Sequence, residues 1–253
     1  MLALEVAILS EPGGRAYNED ACGHWHSPGE LCCVLADGAG GHGGGDIASR
    51  LVVEHLLQSF ATRPGADGPV LERLVRHTNR AMIDARVPNS ERANMHSTVV
   101  SLVVDFVHHR AIWAHAGDSR LYWFRDRRIL TQTRDHSLVQ SLVDAGIVAP
   151  DKARSHPNRS ELRSALGIDD AQLEVDHSGT PREVEPGDVF LLCTDGLWEY
   201  VLEARLEATL ERSATPQQWL AALEQEVADA TRDRSNHDNF TALTVWTTQA
   251  PAA

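Results

Sequence analysis

Four aspartates in this sequence stand where apolar segments end or begin, and each has a small or turn-forming residue after it: Asp37, Asp118, Asp195 and Asp238. The first three follow apolar runs and the fourth precedes one. Because neighbouring antiparallel strands place the end of one beside the start of the next, we expect all four carboxylates at one edge of a β core. Clustered carboxylates repel one another unless positive charge lies among them. The pattern therefore predicts a divalent-metal site.

The residues around these aspartates favour a hard cation. Gly38 follows Asp37 and lets the backbone turn tightly, so that its carbonyl can also face an ion. Oxygen donors suit Mg²⁺ or Mn²⁺, and only His237 stands next to any of the four acids, which disfavours zinc. The alternative is that Asp37 and Asp195 simply cap helices, where aspartate is common. Four acids at matched strand ends make that alternative the weaker one.

A glycine-rich segment beside Asp37 allows a different interpretation. Gly38, Gly40 and Gly43 satisfy the G-x-G-x-x-G pattern of dinucleotide-binding loops, after a predicted strand and before a predicted helix. However, Asp37 would direct negative charge at a pyrophosphate, and the order helix–helix–strand–strand that follows is not a βαβ unit. A nucleotide-dependent oxidoreductase is therefore the less favoured alternative.

Composition narrows the class of protein. The chain has 253 residues and a formal net charge of −13, which argues against binding to nucleic acid or to anionic lipid. No apolar run is long enough to predict a membrane span. Cys32, Cys33 and Cys193 lie inside apolar runs, which indicates buried free thiols and favours a reducing, cytoplasmic setting.

Hydrophobic patterning predicts a single domain in which strands outnumber helices. Strands are expected at 3–9, 21–26, 31–36, 97–106, 111–116, 120–125, 128–132, 172–177, 188–194 and 240–247. Helices are expected near 46–61, 68–86 and 216–230, and a short one after Asp135, which is a good N-cap. The polar segment 145–167 is expected to be a surface excursion. Short links between strands favour antiparallel sheets with helices packed outside them.

Eight motifs lie along almost the whole chain: RAYNED (15–20), ADGAGGH (36–42), STVVSLVV (97–104), AHAGDSRLYWFRD (114–126), DHSLVQSLVDAGI (135–147), HPNRSELRSALG (156–167), GDVFLLCTDGLW (187–198) and DNFTALTV (238–245). In type and order they resemble the motifs of the metal-dependent serine/threonine protein phosphatases of type 2C, in their bacterial form. One such motif is weak evidence, whereas the ordered set is very specific.

The resemblance implies an α+β fold. The expected architecture is a four-layer α/β/β/α sandwich, in which two antiparallel β-sheets are flanked by pairs of antiparallel helices. One phosphatase domain is expected over residues 1–248, with a flap subdomain at about 145–167 beside the site and a loose tail at 249–253.

The resemblance also implies a centre of two Mn²⁺ or Mg²⁺ ions. By position, Asp37 would bridge the two ions. Asp195 and Asp238 would complete the protein ligands of one ion, and the carbonyl of Gly38 would bind the other. Asp118, together with Asp195, would match a third and weaker metal site.

Further residues receive roles from the same resemblance. Glu19 and Asp20 would hold metal-bound waters, and Arg15 would bind the phosphate. The implied reaction is hydrolysis of phosphoserine or phosphothreonine by direct attack of a hydroxide that the two metals activate. Some family members have a histidine that protonates the leaving alkoxide at the position of Ala39. His42 is the candidate donor in this chain, although it can equally serve to pack its loop.

The sequence also gives expectations for the flap and for the partners of the protein. Arg159 belongs to a locally basic flap and is a candidate contact for a phosphopeptide. The substrate is expected to be a phosphorylated protein, a serine/threonine kinase of the Hanks type or its targets, met in the cytosol by a monomeric phosphatase. One role of such short forms is restraint of type VI secretion. A catalytically silent relative that acts as a binding module is the remaining alternative.

Overall fold

The computed structural model describes residues 2–39 and 44–250, which form twelve strands and six α-helices. The strands are β1 (Leu2–Glu11), β2 (Asp20–His26), β3 (Glu30–Ala39), β4 (His96–Ser97), β5 (Val99–Asp105), β6 (Arg110–Ala116), β7 (Arg120–Arg125), β8 (Arg128–Gln132), β9 (Asp176–His177), β10 (Arg182–Glu183), β11 (Val189–Cys193) and β12 (Phe240–Gln249). The helices are α1 (Gly45–Thr62), α2 (Gly68–Asp84), α3 (Leu138–Asp144), α4 (Asp195–Trp198), α5 (Glu203–Arg212) and α6 (Pro216–Thr231). Two short 3₁₀ helices lie at Glu91–Asn94 and Pro150–Ser155. Across these described ranges, every helix is too short or too polar to cross a membrane.

The strands form two antiparallel sheets. The first sheet has five strands in the order β1-β12-β11-β7-β8. The second has seven strands: five follow the order β10-β6-β5-β3-β2, β4 pairs with β3, and β9 pairs with β6. The register of the second sheet places Asp20 of β2 opposite Asp37 of β3, so two predicted site residues are cross-strand neighbours.

Apolar side chains fill the space between the two sheets. Leu35 and Leu102 of the second sheet belong to one buried cluster with Trp123 and Phe190 of the first sheet. The rings of Trp123 and Phe190 stack with their centroids 5.2 Å apart. This central cluster makes the two sheets the inner layers of the molecule.

Helices cover the outer face of each sheet. α1 and α2 pack on the second sheet, where Phe60 and Val52 join a cluster that includes Val34. α5 and α6 pack on the first sheet, where Trp219 meets Phe124 edge to face at 5.4 Å. The expected four-layer α/β/β/α sandwich is therefore confirmed.

Burial on both faces explains why some strands read as unbroken apolar runs. All five residues of β11 are buried. Phe190 and Leu192 face the other sheet, whereas Leu191 and Cys193 belong to the cluster under α5 and α6. A strand covered on both sides has no polar face, so it shows no alternation in the sequence.

Most predicted elements occur where the patterning places them, but the strand expected at 97–106 is divided into β4 and β5, and the short elements β10 and α4 are not predicted. The strand expected at 172–177 is reduced to β9, Asp176–His177. α5 is absent from the predicted elements because only Leu206, Thr209 and Leu210 of its ten residues are buried. So narrow an apolar stripe in a charged segment gives little helical periodicity.

The prediction that Asp135 caps a helix is wrong. α3 begins at Leu138, and its N-cap is Ser137, whose hydroxyl accepts a hydrogen bond of 3.2 Å from the Gln140 amide. Asp135 instead accepts two hydrogen bonds of 2.8 Å each from the guanidinium of Arg120. Both side chains are buried, at 11% exposure for Arg120 and 6% for Asp135. A buried guanidinium requires a carboxylate partner, because its isolated charge is very costly to desolvate.

This buried ion pair also supports the end of the sandwich. The Arg120 guanidinium lies 3.6 Å from the centre of the Trp198 ring. The indole Nε1 of Trp198 donates a hydrogen bond of 2.9 Å to the carbonyl of Asp118. Arg120 and Asp135 therefore fix, through Trp198, the segment that carries one of the predicted site aspartates.

We predict that Asp135→Asn lowers the free energy of unfolding by about 3 kcal/mol, at the low end of the range for breaking a buried ion pair, because it leaves Glu203, 3.5 Å away and partly exposed, as the remaining counter-charge of Arg120. Urea unfolding followed by tryptophan fluorescence, at one fixed metal concentration, measures this change. Asp126→Asn, in an exposed turn, is the matched control and should change stability by less than about 0.5 kcal/mol. Equal losses in the two variants would contradict the role given to Asp135.

Candidate metal centre

Carboxylates from both sheets meet in a pocket of about 280 Å³ at one end of the sandwich. Asp37 comes from β3 of the second sheet, and Asp195 and Asp238 lie next to β11 and β12 of the first sheet. Asp118 lies in the link from β6 to β7, where the chain passes from one sheet to the other. The structure thus brings the four aspartates together, whereas their roles as metal ligands remain predictions.

The other predicted ligands divide into two groups. Glu19 and Gly38 line the same pocket. Asp20 is not one of its lining residues, and its Oδ2 accepts a hydrogen bond of 2.9 Å from the hydroxyl of Thr194. That bond ties β2 of the second sheet to the end of β11 in the first. His42 lies outside the described residues.

Close backbone contacts explain the glycine after two of the aspartates. A Cβ added at Gly38 would lie 1.9 Å from the carbonyl oxygen of Gly45. A Cβ added at Gly196 would lie 1.9 Å from the carbonyl oxygen of Asn239. No side chain fits at such distances, so each Asp-Gly pair lets a second backbone segment pack directly beside the carboxylate.

Asn239 is a site residue that the sequence reasoning missed. Its Oδ1 accepts a hydrogen bond of 2.8 Å from the Glu19 amide. Its Nδ2 donates to the carbonyls of Pro12 at 2.8 Å and Tyr17 at 2.9 Å. The side chain therefore fastens the loop that carries Arg15 and Glu19 to the start of β12. The only signal in the sequence is that Asn239 directly follows Asp238.

Thr98 is a second supporting residue that the sequence did not reveal. Its hydroxyl accepts a hydrogen bond of 2.9 Å from the Asp37 amide and lies 2.7 Å from the hydroxyl of Ser119. Ser119 directly follows Asp118, so the two hydroxyls connect the backbones that carry two of the pocket carboxylates. Hydroxyl groups of this kind hold acidic residues in place without adding charge.

The pocket carboxyls resist ionisation. Burial raises the pKa of Asp37 well above its usual value, and the charges of Asp20 and Asp195 raise it further. Burial, followed by the charge of Asp118, does the same to the pKa of Asp195. Burial raises the pKa of Asp20 to about 7 and the pKa of Asp118 to about 7. Ionised together at neutral pH, these groups require positive charge among them.

The donor atoms fit hard divalent cations. Oδ1 of Asp195 is buried and has no hydrogen-bond partner in the described part of the chain. Within the same residues, the carboxylate of Asp37 accepts no hydrogen bond, although its backbone groups are bonded. Leaving a buried acceptor unsatisfied costs about 1–3 kcal/mol, and more for a charged group. Carboxylate and carbonyl oxygens with free lone pairs are the ligands that Mg²⁺ and Mn²⁺ prefer.

The two arginines predicted to contact substrate differ in their surroundings. Arg15 lines the pocket, and its Nη2 lies 3.0 Å from Oδ2 of Asp238, with both side chains half exposed. Arg159 does not line the pocket, and its Nε donates a hydrogen bond of 2.6 Å to Glu199. Both guanidinium groups have a carboxylate partner, but only that of Arg15 lines the pocket, so the geometry favours Arg15 over Arg159 as the phosphate ligand.

A separate group of possible metal ligands lies under the flap: His115, His136 and Asp176. The two imidazole rings stack with their centroids 4.7 Å apart and their planes inclined by only 21°. A ring nitrogen binds a metal along its lone pair, within the plane of the ring. Nearly parallel stacked rings do not direct their lone pairs at a common point, so we interpret this group as packing between β6 and the flap.

Known protein sequences match most of the length of this chain. A sequence profile described as protein phosphatase 2C matches residues 14–236. The chain is similar to the serine/threonine protein phosphatase PstP of Mycobacterium tuberculosis, with 36% identity over 212 residues, or 83% of this chain and 39% of PstP. It thus spans about two fifths of the length of that relative.

Solved protein structures match almost the whole length of this chain. The catalytic domain of PstP in complex with two manganese ions matches with a TM-score of 0.78 and 30% identity, covering 98% of this chain and 100% of that one. PppA, described as a key regulatory component of T6SS in Pseudomonas aeruginosa, matches with a TM-score of 0.74 and 31% identity, covering 96% of this chain and 97% of that one.

The raised pKa values predict how the metal-free protein responds to pH. In the folded state Asp20 and Asp118 titrate at about 7, whereas an aspartate in an unfolded chain titrates at about 3.9. Between these values the folded state binds more protons than the unfolded state, so stability falls as the pH rises. Each group removes about 2.6 kcal/mol of stability over this range, so in EDTA the melting temperature should drop by about 10–20 °C from pH 5 to pH 8, at about 2–4 °C per kcal/mol. Calorimetry measures the drop.

Addition of Mn²⁺ and the substitution Asp37→Asn are the two controls for this prediction. Mn²⁺ should stabilise the protein more at pH 8 than at pH 5, because it binds the ionised acids. Asp37→Asn removes one repelling charge, so in EDTA it should raise the melting temperature at pH 8 and flatten the pH dependence. A metal-free protein that grows more stable from pH 5 to pH 8 would contradict the assignment.

Proposed function

Because the chain belongs to the protein phosphatase 2C family, we propose that it is a metal-dependent phosphatase that hydrolyses phosphoserine and phosphothreonine in proteins. One observation carries the proposal: the pocket combines carboxylates from both sheets with the guanidinium of Arg15. Asp118 is buried, and Asp37 and Asp195 are partly buried. A phosphate dianion would be repelled by those carboxylates alone. Cations held by them reverse the sign of the pocket, and the substrate can then enter.

The acidic residues would hold and surround the ions. Asp37, Asp195, Asp238 and the carbonyl of Gly38 would bind two Mn²⁺ or Mg²⁺ ions, and Asp118 with Asp195 would serve a third. When bound, such ions neutralise phosphate charge and lower the pKa of water. This donor set is rigid, because Asp37 belongs to a central strand and the Asp195 segment packs against Asn239.

The remaining residues would orient the reactants. Arg15 would bind phosphate oxygens through its planar guanidinium, which suits two oxygens at once. Glu19 and Asp20 would accept hydrogen bonds from ordered water. A water oxygen then bonds to phosphorus as the bond to the serine or threonine oxygen breaks, and inorganic phosphate and a free hydroxyl result. No side chain of the protein becomes phosphorylated in this scheme.

Neither alternative function fits as well. A catalytically silent binding module is expected to lose acids of the metal centre, whereas this chain has all of those predicted. An oxidoreductase that binds a dinucleotide at the glycine segment would need a βαβ unit. β3, which precedes that segment, pairs antiparallel with both β2 and β5.

The proposed partner and pathway follow from the substrate class and from one similar protein. The substrate class implies a serine/threonine kinase that supplies the phosphoprotein. The four cysteines are free, as expected in a reducing compartment such as the cytoplasm. The similarity to PppA supports T6SS as one system in which the chain acts. The monomeric state remains a prediction that size-exclusion chromatography with light scattering checks.

We predict that the protein releases phosphate from a phosphothreonine peptide only when Mn²⁺ or Mg²⁺ is present. Asp195→Ala should lower kcat by at least about 10²–10³-fold, the loss typical of removing a group that stabilises charge in the transition state. Asp84→Ala, at an exposed position at the end of α2, is the control and should retain activity. Release that persists in EDTA would contradict a metal-dependent reaction.

A separate prediction concerns Arg15. Arg15→Ala should raise KM for the phosphopeptide by about 10-fold or more, because a charge-assisted hydrogen bond contributes about 1.5–3 kcal/mol. The KM of Arg15→Lys should lie between the KM of the unmodified protein and that of Arg15→Ala, since lysine keeps the charge but lacks the planar fork of the guanidinium. The affinity for Mn²⁺, measured by calorimetry, should stay constant. A shift in the metal titration with KM unchanged would show that Arg15 acts on the metal centre instead.

A further inference from the structure

The proposed reaction leaves one requirement open, which is a proton for the departing oxygen. The alkoxide of serine or threonine is strongly basic, so its departure is faster when an acid protonates it during bond cleavage. The carboxylates of the pocket are needed in ionised form for the cations. Arginine holds its proton too tightly to donate it. Apart from those carboxylates and Arg15, His96 is the titratable side chain among the described residues that line the pocket, and histidine can exchange a proton near neutral pH.

The register of the second sheet brings His96 to the wall of the site, beside the end of β3. β4 pairs with the end of β3, so that Ser97 lies opposite Gly38 and His96 lies opposite Ala39. Side chains of directly opposed residues project from the same face, with Cβ atoms about 4.5–5.5 Å apart. Ala39 is small and exposed, so it leaves the space above it to the imidazole.

His96 also stands between two pockets of different character. The acidic pocket continues into a groove of about 470 Å³, and the two share Ala39, His96 and Leu162 among their lining residues. The groove is lined mainly by apolar groups, including Leu162 and Ile168, and contains none of the metal-site carboxylates. The phosphate belongs on the acidic side with the cations. The peptide belongs in the groove, so the bond that breaks would cross the position of His96.

The surroundings of the ring suit a group that carries a proton in one state and lacks it in another. The ring is half buried, and its Nδ1 faces Gly167. The pKa of His96 is lowered by burial and by the nearby guanidinium of Arg86, and a hydrogen bond to the carbonyl of Leu166 offsets only part of this, so the free ring favours its neutral form. A phosphate dianion beside the ring adds negative charge and favours the protonated form when substrate is bound.

We infer that His96 is the catalytic acid that protonates the leaving serine or threonine oxygen. As water oxygen bonds to phosphorus and the phosphorus–oxygen bond to the side chain breaks, the proton of one imidazolium nitrogen moves to the departing oxygen. The products are inorganic phosphate, a neutral hydroxyl and neutral imidazole, which regains a proton from solvent. This inference rests on the proposed function.

Leaving groups of different basicity test the inference. In the full chain with saturating Mn²⁺, His96→Gln should lower kcat for a phosphoserine peptide by about 10²-fold, within the usual contribution of a general acid. The loss for p-nitrophenyl phosphate should be at least about tenfold smaller, because nitrophenolate departs without a proton. His96→Asn provides a second variant, and the melting temperature and Mn²⁺ affinity of both establish that fold and metal site are intact.

Matched variants separate the proton donor from a structural role. His24→Gln, on the exposed face of edge strand β2, should affect neither substrate. Ala39→His in the His96→Gln background should restore part of the phosphoserine reaction, because it returns an imidazole to the same face. Equal losses on both substrates would overturn the inference, and so would the leaving-group signature appearing in His42→Gln instead. A failure of the proposed function would look different from these two outcomes. The unmodified protein would then hydrolyse neither substrate, and the inference about His96 would be wrong as well.

Discussion

Mutual repulsion among carboxylates is the constraint on which the structure of the site depends. Asp20 and Asp37 are opposed across β2 and β3, and Asp195 and Asp238 approach them from the other sheet. Buried acids in such proximity would rather be protonated than ionised. The fold nevertheless holds them together, and bound cations would offset the cost of this repulsion. If the pocket holds metal as proposed, metal binding and stability are linked at this end of the sandwich.

Neutral and paired groups around the pocket resist that repulsion. Asn239 holds the loop of Glu19 through three hydrogen bonds, and Thr98 holds the backbone of Asp37. Further back, the buried pair of Arg120 and Asp135 supports Trp198, which in turn bonds to the Asp118 carbonyl. None of these groups contributes free charge to the pocket. They keep the acids in position, so the site does not depend on the ion to shape it.

The two sides of the pocket have different roles in the proposed reaction, one for the phosphate and one for the peptide. Strand ends from both sheets supply the acids, whereas Leu162, Ala165 and Ile168 supply the apolar part of the groove. His96 lies where the two meet, on a two-residue strand that pairs with the end of β3. An enzyme that cleaves a bond between a charged phosphate and a peptide needs this asymmetry. The same fold can change its preference among phosphoproteins by changes in the flap, without touching the metal centre.

The sequence by itself determined most strands, the long helices and the location of the acids at strand ends. These features depend on apolar periodicity and turn residues, which act over short distances along the chain. The sequence also indicated the Asp-Gly pairs at 37 and 195, whose glycines admit a neighbouring backbone. It could not reveal that Asp135 pairs with Arg120 rather than capping a helix, since both roles suit an aspartate at a loop end. Nor could it place Asn239 or His96 in the site. Those positions follow from the pairing of β4 with β3 and of the N-terminal loop with β12, and only tertiary packing decides which distant segments share a register and a pocket.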